Sequence, residues 1–156
     1  CRGEATIEQV KEARRNAADA ADAADAAAYA AAAAAYAAEA TAVREAHEEV
    51  GLAPKNVEVL GRLPIYVTGT AFHITPVVAL VHPQASYFPN PGEVADLFEV
   101  PLSYLLNPAH HERHAMQWQG VDREWFAMPY QDGEQQRYIW GATAGMLRNL
   151  YRFLAA

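Results

Sequence analysis

The sequence predicts a mixed α/β domain led by a long helical segment. Three observations carry this. Residues 17–40 are almost all alanine, the best intrinsic helix former, with no breaker among them. From Gly51 onward, short apolar runs alternate with turn-forming clusters such as Pro54-Lys55-Asn56 and Pro89-Asn90-Pro91-Gly92. The last stretch, Ala142 to Leu154, carries Met146, Leu147, Leu150, Tyr151 and Leu154 at helical spacing, the signature of a packed stripe.

Each element follows from local pattern. Ile7, Val10, Ala13 and Ala17 precede the alanine tract, so one helix is expected from about Thr6 through Glu49. Val57 to Leu63 is a strand, with Val57 and Val59 alternating against Glu58, and Tyr66 to Thr70 is a loop. Phe72 to Val81 is expected as a central strand buried on both faces, ended by His82-Pro83. A further strand is expected over Leu97 to Val100. Pro101 then opens a short helix, Leu102 to Leu106, stopped by Asn107-Pro108. His114 to Trp118 and Glu124 to Met128 form a hairpin around Gly120-Val121-Asp122. After a turn at Asp132-Gly133, Arg137 to Trp140 completes a strand, and the final helix follows.

Composition narrows the function classes. At 156 residues the length is that of one domain, with a formal net charge of -7 and no basic run. That balance argues against binding a nucleic-acid backbone, and a phosphorylated substrate would need local cations or a metal bridge. Cys1 is the only cysteine, so neither an intrachain disulfide nor a cysteine metal cluster is expected. The missing initiator methionine is read as a processing or cloning boundary, and nothing reads as a signal peptide. The run from Ala26 to Ala35 is too short and too weakly apolar to span a bilayer. A cytoplasmic enzyme is expected.

The densest information lies in Ala42-Val43-Arg44-Glu45-Ala46-His47-Glu48-Glu49-Val50-Gly51-Leu52. At about 100° per residue, Glu45, Glu48 and Glu49 share an arc of roughly a quarter to a third of the helix circumference. Ala42, Val43, Ala46 and Val50 form a separate apolar arc. Carboxylates at i, i+3 and i+4 repel one another, and the helix C-terminus disfavours negative charge. Gly51 is placed to close the helix in a left-handed cap. A structural helix gains nothing from such crowding, whereas a hard divalent cation would neutralise it. Glu45 and Glu49, one turn apart, can chelate one Mg²⁺, with Glu48 reaching the same ion or a second.

Arg44-Glu45-Ala46-His47-Glu48-Glu49-Val50-Gly51-Leu52 resembles the second half of the Nudix box, Arg-Glu-apolar-x-Glu-Glu-x-Gly-apolar. The resemblance implies hydrolysis of a nucleoside diphosphate linked to another group, with Mg²⁺ or Mn²⁺ held by Glu45, Glu48 and Glu49. It also implies a box glutamate as general base, here Glu45, with Arg44 orienting a glutamate by ion pairing. Glu93, in a loop before a strand, is an additional candidate ligand or base, since many Nudix enzymes recruit an acid from a later loop. A surface acid beside a turn is the equal reading of Glu93.

The first half of the box departs from the family. Its glycine would stand fourteen residues before the arginine and its glutamate eight before, where this chain has Ala30 and Tyr36. The alanine tract is compatible with a helical substitute for that half, with a fusion scar or linker, or with alanines standing for unidentified side chains. The chain is therefore divided into an alanine-rich N-terminal segment, 1–40, and a Nudix hydrolase domain, 41–156.

Downstream, Leu63-Pro64-Ile65-Tyr66, Thr68-Gly69-Thr70, Thr75-Pro76-Val77-Val78-Ala79 and Asn90-Pro91-Gly92-Glu93-Val94 resemble bacterial coenzyme A pyrophosphatase-type Nudix proteins. So do Phe98-Glu99-Val100-Pro101-Leu102 and Ile139-Trp140-Gly141-Ala142-Thr143-Ala144-Gly145-Met146-Leu147. That implies an α/β/α sandwich around a mixed β-sheet, and cleavage of coenzyme A to 3′,5′-ADP and 4′-phosphopantetheine. The subfamily's coenzyme A signature, which lies upstream of the box, has no match in residues 1–40. Two other readings remain open. One is a Nudix hydrolase for a nucleotide sugar or dinucleoside polyphosphate. The other is a non-catalytic Nudix-derived binding domain or scaffold whose alanine helix mediates association. The expected partner is a small-molecule nucleotide, with neither nucleic acid nor membrane, and a homodimer is compatible with the chain.

Other polar and aromatic residues carry plainer expectations. His110, His111 and His114 are read as a polar rim, because Asn107-Pro108 and a strand at His114 prevent a shared helical zinc-binding face. His47 points away from the glutamate arc, and His73 belongs to a sheet face. Tyr66, Thr68 and Thr70 are equally substrate-contacting or packing residues. Trp118, Trp125, Tyr130 and Trp140 are read as core or hairpin aromatics.

Overall fold

A computed structural model describes residues 7–156, so the expected helix start at Thr6 and the cysteine at position 1 lie outside the described residues. Helix α1 runs Ile7–Val50. Packing divides the chain between Thr41 and Ala42 into two units.

In the first unit the alanine tract is helix throughout, as intrinsic propensity dictates. Its side chains are mostly solvent-facing; Tyr29 is 79% and Tyr36 75% exposed. Arg15 pairs with Glu8 at 3.6 Å, an exposed contact that adds little stability.

The second unit is built of antiparallel ladders and short helices. Pro54–Asn56 make a single tight turn leading into β1, Val57–Arg62. β1 pairs with β4, Val77–Val81, with a bulge between Val59 and Gly61. Between them β2, Tyr66–Val67, pairs with β3, His73–Ile74. Residues 66–67, expected as loop, are thus the start of a small hairpin. Its turn is closed by Thr68, whose Oγ1 accepts from the Phe72 N–H at 3.0 Å. The single central strand expected from Phe72 to Val81 is broken at Thr75-Pro76. Pro76 has no N–H to give a ladder, so the chain leaves one hairpin and enters another there. Leu80 and Val81 are 54% and 37% exposed, so β4 is not buried on both faces.

The expected strand over Leu97 to Val100 does not form. Side chains anchor that stretch instead: Arg137 reaches Asp96 and its guanidinium stacks over Phe98, 4.7 Å from the ring centre. Helix α2, Leu102–Leu105, follows, and Asn107 caps the turn after it by accepting from the Ala109 N–H at 3.0 Å.

The largest sheet comprises β5, Glu112–Trp118, β6, Val121–Asp132, and β7, Gln135–Trp140, in the order β5-β6-β7. β5 stops pairing where Glu112 faces Ala127, while β6 continues against β7 through Pro129↔Tyr138. The Tyr104 hydroxyl donates to the Pro129 carbonyl. Helix α3, Gly141–Leu154, packs on β6 and β7. Met128 and Ala127 from β6 and Ala144 from α3 are fully buried, with Leu52 and Leu63 completing the described core.

The mixed helix-and-strand class is what forms. All described ladders are antiparallel, in three separate sheets, and none is parallel as a mixed sheet requires. The described residues ahead of the box, from Ile7 onward, are in helix α1. Among the described residues no helix is long and apolar enough to cross a membrane.

Candidate active site

The candidate residues Arg44, Glu45, Glu48 and Glu49 sit at the last turns of α1. Ala42, Val43, Ala46 and Val50 are half-buried, while Arg44, Glu48 and Glu49 face solvent and Glu45 is half-exposed. The two arcs of the sequence are therefore two faces of the helix. Gly51 has φ +67° and ends it; its N–H donates to the His47 carbonyl at 3.0 Å.

Arg44 forms ion pairs with both Glu45 and Glu48, through separate guanidinium nitrogens. It contacts Oε2 of Glu48 and Oε1 of Glu45, which leaves one oxygen of each outside the pairs. The hydrogen bond to Glu48, then the negative charges of Glu45 and Glu48, hold the Arg44 pKa above its ordinary value. Glu49 takes no part in these pairs; its backbone carbonyl accepts from the Asn90 N–H at 2.7 Å.

Glu93 is exposed and belongs to the turn that begins at Asn90. That turn is bonded to the end of α1, so Glu93 and the helical glutamates belong to connected elements.

The donor chemistry suits a hard divalent ion, since Glu45, Glu48 and Glu49 offer only carboxylate oxygen. Their gathering is incomplete: among the described residues no three acidic, histidine or cysteine side chains form a ready ligand cluster. Two of the three carboxylates turn to Arg44 instead. A cation entering here would share Glu45 and Glu48 with the guanidinium, which already engages one oxygen of each.

The other expected residues scatter. His47 and His73 are exposed. His110 stacks on Tyr104 at 3.7 Å and its Nδ1 lies 2.9 Å from the Tyr104 carbonyl, while His111 Nε2 lies 2.8 Å from the Leu105 carbonyl. His114 lies over Trp125 and pairs with Glu112 at 2.8 Å. These histidines have separate partners and no common focus. Tyr66 and Thr68 line an open cleft of about 330 Å³ with Arg113, Glu124 and Trp125, and no box glutamate lines it. Trp118 and Trp140, expected as core or hairpin aromatics, are 52% and 61% exposed, so neither is core. Local pattern marked Asn90 as a turn residue but gave no sign of its bond to Glu49, which is far away along the chain.

A family model for the NUDIX domain matches residues 32–139, about two thirds of the chain. The chain belongs to the Nudix family. Proteins of this family generally use divalent metal ions. Curated Nudix relatives include the "Uncharacterized Nudix hydrolase NudL" of Enterobacter sp. (strain 638), 40% identical over 111 residues, 71% of this chain and 56% of that protein. The protein of the same name from Pectobacterium atrosepticum is 41% identical over 115 residues, 70% of this chain and 55% of its own. In Yersinia pestis (strain Pestoides F) the identity is 34% over 111 residues. This Nudix chain spans a little over half the length of the curated relatives it matches.

Proposed function

We propose that the chain is a divalent-metal-dependent Nudix hydrolase, using Mg²⁺ or Mn²⁺, that cleaves a diphosphate linkage in a nucleotide derivative. Coenzyme A or its derivatives are the proposed substrates, giving 3′,5′-ADP and 4′-phosphopantetheine. The observation that carries the reading is the Arg44-bridged glutamate set at the capped end of α1, in a chain of this family.

Glu45, Glu48 and Glu49 would hold the metal, with Glu93 as the additional ligand or base. Bound there, the ion would neutralise phosphoryl charge and lower the pKa of a ligand water. Glu45 would also serve as general base toward a water, through Oε2, the oxygen that Arg44 leaves outside its pair, where the ion does not occupy it. Arg44 fixes the Glu45 side chain by holding Oε1 and so orients the free oxygen. Gly51 closes the helix just after the three carboxylates. A cytoplasmic setting and a homodimer belong to the same proposal, and light scattering on the purified chain reads the second.

A second reading is a non-catalytic Nudix-derived binding domain or scaffold. It is favoured by Ala30 and Tyr36, which occupy the box's glycine and glutamate positions on an exposed helix. The test is chromatography of products from coenzyme A, a nucleotide sugar and a dinucleoside polyphosphate, with and without Mg²⁺ or Mn²⁺. Metal-dependent 3′,5′-ADP that disappears in Glu45→Gln supports the coenzyme A reading. Turnover of another substrate alone retains the hydrolase and replaces the substrate. No turnover by folded protein leaves the scaffold.

A further inference from the structure

The last carbonyls of a helix have no intrahelical donor and must find one elsewhere. At the end of α1 two of them find it in a loop from a distant part of the chain. The Phe88 N–H donates to the Val50 carbonyl at 2.8 Å, and the Asn90 N–H donates to the Glu49 carbonyl at 2.7 Å. The approach is close: a Cβ on Gly51 would stand 2.8 Å from the Phe88 Cβ.

Asn90 then builds the turn beyond this contact. Its side-chain Oδ1 accepts from the Gly92 N–H at 3.1 Å. Its own carbonyl accepts from the Glu93 N–H at 3.0 Å and the Val94 N–H at 2.8 Å. One half-buried residue therefore bonds both the glutamate-bearing helix and the turn that carries Glu93. The side-chain bond requires an acceptor oxygen on a short arm, which Asn and Asp supply and Ala does not.

We propose that Asn90 is a positioning residue: its side chain shapes the turn that carries Glu93, which its backbone N–H joins to the Glu49 end of α1, so that Glu93 holds one place relative to Glu45, Glu48 and Glu49. The proposal rests on the metal-dependent hydrolase reading in giving Glu93 a task.

The test uses the full chain and two readouts, Mn²⁺ binding by electron paramagnetic resonance without substrate and steady-state hydrolysis of coenzyme A. Asn90→Ala lowers Mn²⁺ affinity and kcat by about 10- to 100-fold, the range for residues that orient metal ligands, with KM unchanged. Asn90→Asp, which keeps the acceptor, restores most of both. Because Asn90 acts through Glu93, the double variant Asn90→Ala/Glu93→Gln is no worse than Glu93→Gln alone. Multiplying losses in the double variant, or no rescue by Asp, overturns the assignment. Should Asn90→Ala not fold, Asn90→Leu, which keeps the size and lacks the acceptor, carries the same comparison. A wild type that binds Mn²⁺ but does not hydrolyse coenzyme A sinks the coenzyme A reading, and the Mn²⁺ affinities alone then judge Asn90. If it neither binds nor hydrolyses, both fall.

Discussion

Gly51 and Phe88 touch with no room between them: a Cβ at Gly51 would lie 2.8 Å from the Phe88 Cβ and 3.0 Å from its backbone nitrogen and oxygen. The same glycine has φ +67°, in the left-handed region. Two penalties therefore meet at one position. Gly51→Ala should cost about 1–2 kcal/mol for the backbone and about 1–3 for the collision, roughly 2–5 kcal/mol in all. Gly120, with φ +78° and open space around it, supplies the control. Gly120→Ala should cost only the backbone share, about 1–2 kcal/mol. Urea denaturation of both variants checks this, and equal losses would show that the Phe88 contact is slack.

Gly145 reverses the usual helix rule. An alanine inside a helix is ordinarily better than glycine by about 1 kcal/mol. Here a Cβ would collide with the Tyr66 hydroxyl and lie 2.7 Å from its ring carbons. Gly145→Ala is expected to destabilise by about 1–3 kcal/mol, since overpacking outweighs propensity. Adding Tyr66→Leu should recover part of the loss, giving a coupling that a double-mutant cycle in urea measures. A stabilising single variant would mean that the tyrosine moves aside freely.

Asp96 and Arg137 give the acid response a direction. The hydrogen bond and charge of Arg137 hold the Asp96 carboxyl below its ordinary 3.8. A carboxylate with a lowered folded-state pKa contributes stability that is fully present above the unfolded value and lost as pH falls through the folded one. Asp96→Asn should therefore show a shallower loss of thermal stability below pH 3.8 than the wild type, with the gap between them closing in acid. A gap that stays constant with pH would remove Asp96 from the acid response.

Glu45→Gln keeps the shape of the side chain and removes the base. On the hydrolase proposal kcat should fall by about 10²–10⁴-fold, with an unchanged melting temperature. Arg44→Ala should cost less, because it loosens Glu45 without removing it. A stopped assay on substrate concentrations bracketing KM separates the two, and a milder effect in Glu45→Gln than in Arg44→Ala would reassign the base.

What could be read from the sequence was what neighbours along the chain decide. The long helix followed from alanine propensity, and the cap at Gly51 from its place after an apolar arc. The β5-β6 hairpin and α3 followed from alternation and from helical spacing. Contacts between remote segments were illegible. The run over Leu97 to Val100 has strand-like residues, yet Arg137 anchors it through Asp96 and Phe98 without a ladder. Phe72 to Val81 is apolar enough for one strand, yet Pro76 divides it. At the candidate site the residue types were visible in the motif, while the tie from Asn90 to Glu49 needed coordinates.

Pro129 has a consequence beyond its place in the ladder. Past Ala127 strand β6 is paired by a strand on one side only, by β7, and its other side meets the turn at Pro108–His110, so a visiting extended chain would have to pair there. At Pro129 such a visitor meets a ring with no N–H to offer and a carbonyl already engaged by the Tyr104 hydroxyl. Sheet growth from molecule to molecule, the first step toward fibrils, is denied a foothold at this point of the strand.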